Sequence, residues 1–87
     1  MGVGSEALRK AAEVIEERGA EYGDASTNTQ RIADMWSVIL KTEVAAENVV
    51  LCMIAVKISR LIESPKHEDS AVDIAGYAAV LRECQEK

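Results

Sequence analysis

Apolar residues recur every three or four positions along most of the chain, which is the spacing of α-helices that bury one face. In the first such segment, Leu8 and Ile15 fall on one side of a helical wheel. Ser5 is a suitable N-cap, and Gly19 is the residue type that most often ends a helix. The pattern therefore predicts a first helix from Ser5 to about Arg18.

A second helical segment follows a turn that contains two glycines. The segment Thr27-Asn28-Thr29-Gln30 has the form of a capping box, in which the Thr and Gln side chains satisfy each other's backbone N–H groups. We therefore expect the longest loop over residues 19–26 and the start of the second helix at Thr27. Its buried stripe is expected to consist of Ile32, Trp36 and Ile39, with Met35 beside them.

Two further helices complete the pattern. Thr42 is a candidate N-cap for a long third helix over about residues 43–63, which Pro65 prevents from continuing. A fourth helix is predicted over about residues 69–86. Since no segment alternates like a β-strand, the sequence predicts an all-α fold, a compact four-helix bundle. We expect one domain over residues 1–87, with residues 1–4 as a flexible N-terminus.

The third helix carries apolar residues on two nearly opposite faces. Val49, Met53 and Val56 form one face. The other face has five members, Val44, Leu51, Ala55, Ile58 and Ile62. A helix that is apolar almost all round is buried almost all round, and the other helices of so short a chain cover only one of these faces. We therefore expect a homo-oligomer, a dimer or a dimer of dimers, formed through the third and fourth helices. In the fourth helix, Gly76 is interpreted as the position of a close backbone approach.

Composition narrows the possible partners and the compartment. With 87 residues and a net charge of −5, the chain has a small core and no basic stripe that would attract a nucleic-acid polymer. The N-terminus lacks the pattern of a signal peptide, and the longest apolar run, residues 49–56, is too short to span a bilayer. Both cysteines are interpreted as buried and inert. We expect a cytoplasmic protein with no membrane partner.

Basic and acidic residues occur where a helical bundle has little room for unpaired charge. Lys57 and Arg60 lie one turn apart on the face of Met53, and Asp69 and Asp73 lie one turn apart near the start of the fourth helix. One interpretation is an ion-pair network that ties the third helix to the fourth. The other is a site in which the cations bind phosphate while an aspartate holds Mg²⁺ or orients the cations. The two interpretations are compatible.

Other residues have both an ordinary and a functional interpretation. Glu47 is either close enough to a helix end to remain hydrated or a metal ligand. Asn28 starts the second helix, whose N-terminus favours anions, and is either a capping residue or a ligand contact. The nearby Tyr22 and the helix-four residue Tyr77 are placed with Asn28 as candidate nucleotide contacts. His67, in a polar turn, is expected to lie at the surface.

Five groups of residues form a recurrent combination: Tyr22-Gly23, Asn28, Trp36, Lys57-x-x-Arg60 and His67-x-Asp69-x-x-x-Asp73-x-x-Gly76-Tyr77. In this combination the chain resembles a family of short phage and prophage proteins of unassigned function. That family looks related to the phage nucleotide-modification-associated domain and, more distantly, to the MazG-like all-α nucleotide pyrophosphatases. The resemblance implies a helical, oligomeric, Mg²⁺-dependent scaffold, on which MazG-like enzymes split a nucleoside triphosphate into a monophosphate and pyrophosphate.

The chain departs from the MazG-like pattern at the metal site. Lys57 and Arg60 stand where the family has Glu-x-x-Glu, and Ser70 and Asp73 stand where it has Glu-x-x-Asp. Replacing two acids by two cations favours a phosphate over a cluster of metal ions. The resemblance thus implies nucleotide binding, with sequestration of the nucleotide as one role, rather than hydrolysis.

Two alternatives remain open beside the binding hypothesis. A Mg²⁺-dependent nucleoside triphosphate pyrophosphohydrolase would use Asp69 and Asp73 as catalytic candidates, with Glu47 as a third metal ligand. A non-catalytic structural oligomer would pair every buried charge and leave no pocket.

Overall fold

The computed structural model describes residues 2–86, except for the side chain of Tyr22, and places them in four α-helices. The helices are α1 (Val3–Tyr22), α2 (Ala25–Leu40), α3 (Ala46–Glu63) and α4 (Glu68–Gln85). The described residues form no strand. The prediction of an all-α, four-helix fold is therefore confirmed. The closest association is between α3 and α4, and α1 lies against α4 as well.

The first helix is longer than the sequence suggested. Val3 and Gly4 already lie in its first turn, and the helix continues through Gly19 to Tyr22. It ends where Gly23 adopts φ +85°, a conformation that glycine reaches without strain. The predicted end at Arg18 is wrong, because one glycine in a helix costs only about 1 kcal/mol and good helix formers follow it.

The second helix begins two residues earlier than predicted. Asp24 is its N-cap, and one carboxylate oxygen accepts hydrogen bonds from the backbone N–H of Thr27 at 3.2 Å and from the hydroxyl of Ser26. Thr27 is therefore inside α2, and the predicted capping box is wrong. An aspartate caps as well as a threonine and lies nearer to the end of α1. The α1–α2 connection consists of residues 23–24 rather than a long loop over 19–26.

The connection over residues 41–45 delays the start of α3. Lys41 takes up a left-handed conformation with φ 56°, and the N–H of Thr42 bonds the carbonyl of Ser37 at 3.2 Å. The hydroxyl oxygen of Ser37 accepts a hydrogen bond of 2.9 Å from the backbone N–H of Val44. Thr42 thus closes α2 and does not cap α3. The third helix starts at Ala46, three residues later than predicted.

The fourth helix follows a short turn and agrees with its prediction to within one residue at each end. His67 is its N-cap, with Nδ1 accepting the N–H of Ser70 at 3.3 Å. Lys10 of α1 forms an ion pair with Glu68 in the first turn of α4. The hydrogen bond and charge of Glu68 raise the pKa of Lys10, and those of Lys10 lower the pKa of Glu68. His67 is exposed, as expected, and serves a capping role.

The core consists of small side chains, which is why the helices approach closely. Val50 and Ala33 are almost completely inaccessible to solvent. One central cluster of buried residues is surrounded by four partly buried side chains, those of Ile54, Tyr77, Val80 and Leu81. The buried apolar residues are Ala11, Ala33, Ala46, Val49, Val50, Val72 and Cys84.

Several expected core positions are exposed instead. In α2, Met35 is 57% and Ile39 is 73% exposed, so the predicted buried stripe reduces to Ile32 and Trp36, both half-buried. The stripe is wrong because α2 turns its small buried residues, Ser26, Thr29 and Ala33, toward the other helices. Cys52 is also exposed, contrary to its interpretation as a buried thiol.

The two faces of α3 have different environments. Val49 is buried and Met53 is half-buried, so these two residues point into the molecule, whereas Val56, predicted on the same face, is 43% exposed. The opposite face leaves Leu51, Ile58 and Ile62 exposed, the last by 77%. We refer to these three residues as the outer face of α3. The expectation that one chain covers only one apolar face is met, and the covered face is the one that also carries Lys57.

Candidate functional site

A cavity of about 490 Å³ lies between the helices and is lined by residues from all four of them. We refer to it as the central cleft. Small-molecule sites in proteins commonly have volumes of about 300–1,000 Å³. The walls are mainly apolar and include Val14 and Ile15 of α1, Ile32 of α2, Val49 and Met53 of α3, and Val72 and Val80 of α4.

Helical spacing explains why these residues meet. On α4, Val72, Gly76 and Val80 lie four residues apart, so they stack along one face, which Asp73 and Tyr77 share. On α1, Arg18 follows Val14 and Ile15 by one turn and lines the cleft with them. The cleft is thus built on rigid helices, which suits precise positioning of a ligand.

An ion pair borders the cleft between α3 and α4. Lys57 Nζ lies 3.0 Å from Asp73 Oδ2, and the two side chains are 12% and 26% exposed. Asp73 lines the cleft, and Lys57 lies one turn beyond Met53 on α3. The ion-pair tie suggested by the sequence is therefore present. Because Asp73 already neutralises Lys57, this cation attracts an anion less strongly than a free lysine would.

Arg18 is the one basic residue among the described residues that line the cleft. It is exposed, and within residues 2–86 it forms no salt bridge. Asn28, from the first turns of α2, contributes an amide to the same lining. Arg18 was not among the candidate residues predicted from the sequence. Its position seven residues after Ala11 and four after Val14, on the inward face of α1, was the signal that could have revealed it.

The candidate site residues do not all come together. Asn28, Asp73 and Tyr77 line the central cleft. Arg60 is exposed in the last turn of α3 and Asp69 is exposed in the first turn of α4, each outside the cleft lining. The side chain of Tyr22 lies outside the described part of the chain. The roles proposed for Arg60, Asp69 and Tyr22 therefore stay predictions.

The proposed metal ligands are also divided between two places. Glu47 is half-buried and lines a second surface cavity with Ser26 and Cys84, whereas Asp73 lines the central cleft. Within residues 2–86, no group of three or more His, Cys, Asp or Glu side chains is placed to hold a metal ion. The one acid of the cleft lining is held by a lysine, so this arrangement does not fit an acidic metal cluster. Mg²⁺ binding by Asp69, Asp73 and Glu47 stays a prediction.

Gly76 has an unexpected environment. A Cβ atom placed on this glycine would meet nothing within 4 Å, so no neighbouring backbone of the same chain requires glycine here. The close approach predicted at Gly76 is assigned to a subunit interface and stays a prediction, because the space beside this glycine is open within one chain. Glycine in a helix interior costs about 1 kcal/mol relative to alanine. At this position, the missing side chain leaves space in the cleft.

Taken together, these groups can bind and orient a small molecule. The apolar walls exclude water, and Arg18 supplies a positive charge with a planar set of N–H donors. Asn28 offers both a donor and an acceptor, Tyr77 a hydroxyl and Asp73 a carboxylate. A ligand that is apolar and flat in one part and anionic in another would match this distribution.

Comparisons with known proteins place these features in a family context. The family model described as Domain of unknown function (DUF6378) matches residues 6–85. The Gene 55 protein of Mycobacterium phage L5 is 44% identical over 80 residues, which cover 90% of this chain and 51% of that protein. The Gene 55 protein of Mycobacterium phage D29 is 35% identical over 81 residues, which cover 92% and 54%. The chain spans about half the length of these relatives.

No solved structure matches the chain. Among the described residues, no helix has the length and apolar character needed to cross a membrane.

Proposed function

This chain belongs to the DUF6378 family, and we propose that it is a phage-type protein that binds a small nucleotide in its central cleft. One observation carries the proposal: a cavity of about 490 Å³ whose apolar walls come from all four helices and whose polar groups include an arginine, an amide, a phenol and a carboxylate. The resemblance to the MazG-like scaffold is consistent with this choice of ligand and belongs to the same proposal.

The apolar walls suit the base and sugar of a nucleotide. Val49, Met53 and Val80 offer surfaces against which a flat ring makes dispersion contacts and from which it excludes water. Tyr77 adds an aromatic face with a hydroxyl for a directed hydrogen bond. A ligand that consisted of phosphate groups alone would not make these contacts.

The phosphate groups are assigned first to Arg18 and Asn28. A guanidinium group forms paired hydrogen bonds with phosphate oxygens, and Arg18 has no intramolecular salt bridge to break within the described residues. Lys57 is already held by Asp73. Arg60, seven residues beyond Met53 and so on the same face of α3, remains the competing cation for phosphate.

The experiment is incubation of the purified protein with pooled nucleotides, with and without Mg²⁺, followed by mass spectrometry of free and bound fractions. The pool contains canonical and modified triphosphates and cyclic signalling nucleotides. We expect an intact nucleotide in the bound fraction, which would be consistent with sequestration. Conversion to a monophosphate and pyrophosphate would support the hydrolase with Asp69 and Asp73 instead. A bound fraction free of nucleotide would contradict both.

Self-association is a second proposed property, supported by the outer face of α3. Leu51, Ile58 and Ile62 leave a row of apolar surface along one side of the helix, with Ile58 two turns after Leu51 and Ile62 one turn after Ile58. Covering each side chain would contribute up to about 2 kcal/mol. A core built from small residues also leaves much stabilisation to be supplied by a partner. We propose that a second copy of the chain covers this face, as the resemblance to oligomeric helical proteins implies.

The double substitution Ile58→Glu with Ile62→Glu is expected to convert the oligomer to a monomer, because it places two charges in the proposed interface. Sedimentation equilibrium would measure the mass over a range of protein concentrations. Ser59→Glu is the matched control, since it adds a charge to an exposed neighbouring position of the same helix. A wild-type protein that remains monomeric at the highest concentration, or a double variant that still associates, would contradict this assignment.

A further inference from the structure

The face of α4 that lines the central cleft has a gap where Gly76 lacks a side chain. Val72 lies one turn before Gly76, and Val80 lies one turn after it. Nothing occupies the space within 4 Å of the position that a Cβ atom would take. The cleft therefore contains a notch that is bounded by two valines and has the backbone of α4 as its floor.

We propose that this notch is the subsite for a planar, nucleobase-like ring of the bound ligand, an inference that rests on nucleotide binding in the cleft. Val72 and Val80 lie eight residues apart, about 12 Å along the helix axis at 1.5 Å per residue, and their side chains narrow this space to a slot that suits a flat ring. Val72 and Val80 present apolar surface on either side, which favours contact with the faces of a heterocycle. Any side chain at position 76 would compete for this space.

The rim of the notch determines which edge of the ring is recognised. Asp73 lies three residues before Gly76 and lines the same cleft. Lys57 contacts Oδ2 of Asp73 at 3.0 Å, and Oδ1 is the second acceptor oxygen of the same carboxylate. A carboxylate oxygen accepts hydrogen bonds, so it selects a ring that presents N–H groups. Tyr77, directly after Gly76, can donate or accept at the same edge. The favoured ligands are nucleotides of adenine, guanine or cytosine, because an amino group offers two N–H donors where the pairing edge of uracil or thymine offers one ring N–H.

The competing explanation is a role for Gly76 between subunits. A glycine on a helix can admit the backbone of another chain, and α4 also carries exposed alanines at positions 78 and 79. In that case, a larger residue at position 76 would disturb the contact between chains and change the mass of the oligomer. If the ring subsite is correct, the same substitution would weaken the binding of nucleotides relative to tripolyphosphate and leave the mass of the oligomer unchanged.

The test compares Gly76→Leu with Ala78→Leu, which adds the same side chain to the same helix at an exposed position outside the cleft lining. The probes are the canonical ribonucleoside and deoxyribonucleoside triphosphates and inorganic tripolyphosphate, titrated by calorimetry. We expect Gly76→Leu to weaken nucleotide binding at least tenfold while leaving tripolyphosphate binding within twofold. Ala78→Leu should leave both unchanged. Gly76→Ala, a smaller change that also favours the helix, is the second variant if the leucine variant does not fold.

The outcomes separate this inference from the proposed function. If Gly76→Leu or Gly76→Ala binds nucleotides as tightly as wild type does, or if either variant alters the oligomer mass, the ring subsite is overturned while nucleotide binding stands. If wild type binds no nucleotide, millimolar adenine and cytosine are tested by NMR. Shifts of the Val72 and Val80 methyl signals that are absent in the Gly76 variant would support the subsite on its own. The absence of such shifts would overturn it together with the proposed function.

Discussion

Asp73→Ala is expected to lower the free energy of unfolding by about 2 kcal/mol, because it leaves the ammonium group of Lys57 beside the cleft without its carboxylate. Breaking a fully buried pair costs about 3–5 kcal/mol, and an exposed pair contributes at most about 1 kcal/mol. With side chains that are 12% and 26% exposed, this pair lies between those limits. Urea denaturation followed by circular dichroism would measure the change.

Lys57→Met provides the control for this explanation. The double variant Asp73→Ala with Lys57→Met removes the cation as well as the carboxylate. Most of the stability lost in Asp73→Ala alone should therefore return in the double variant. Glu83→Ala, an acid removed from an exposed position of the same helix, should change stability by less than about 0.5 kcal/mol. If the effects of Asp73→Ala and Lys57→Met simply add, the two residues do not stabilise the fold as a pair.

Arg18→Ala is expected to weaken nucleotide binding by about ten- to a hundredfold and to leave the fold intact. A hydrogen bond to a charged group contributes about 1.5–3 kcal/mol, and about 1.4 kcal/mol corresponds to a factor of ten in affinity. The fold should tolerate the change because Arg18 is exposed and forms no salt bridge within the described residues. Calorimetric titration with the retained nucleotide would measure the affinity, and thermal unfolding would check the fold.

The same titration on Arg60→Ala decides which cation holds the phosphate groups. We expect a loss of less than threefold, since Arg60 lies outside the cleft lining. Lys66→Ala, at an exposed position of the α3–α4 turn, controls for the general loss of one positive charge. A large loss in Arg60→Ala with none in Arg18→Ala would move the phosphate site to the C-terminal end of α3, where the sequence first suggested it.

The number and type of elements followed from the sequence because no segment alternates like a β-strand, and caps and breakers separate four segments of helical length. The ends of the helices did not, because several residues compete to cap or stop them. Asp24 and Thr27 are both good N-caps, and only the geometry of the preceding turn favours Asp24. Gly19 resembles a helix stop, but Gly23 provides the left-handed conformation that ends α1.

The pattern of apolar residues did not determine which face of α3 points inward, because both of its faces are apolar. Periodicity alone does not distinguish Val49 and Met53 from Leu51 and Ile58. The ion pair between Lys57 and Asp73 could be suggested from the sequence because a cation on an apolar face needs a partner. The need of Lys57 for a partner also indicates that its face of α3 points inward, because Asp73 lies on α4.

The cleft itself was only partly foreseen. Asn28, Asp73 and Tyr77 were identified as candidates from charge, helix position and resemblance, and they line the same cavity. Arg18 was overlooked because it was regarded as the end of a helix rather than as part of its inward face. The role of Gly76 could not be inferred, because a glycine within a helix looks the same in sequence whether a backbone or an open space lies beside it.

The most direct test of the central claim is methyl NMR of the protein titrated with the nucleotide that it retains best from the pool. Binding in the central cleft predicts shifts of the Ile15, Ile32 and Met53 methyl signals, with Ile58 and Ile62 on the outer face of α3 unchanged. Shifts confined to Ile58 and Ile62, or no shifts at saturating nucleotide, would contradict the assignment of the cleft as the binding site.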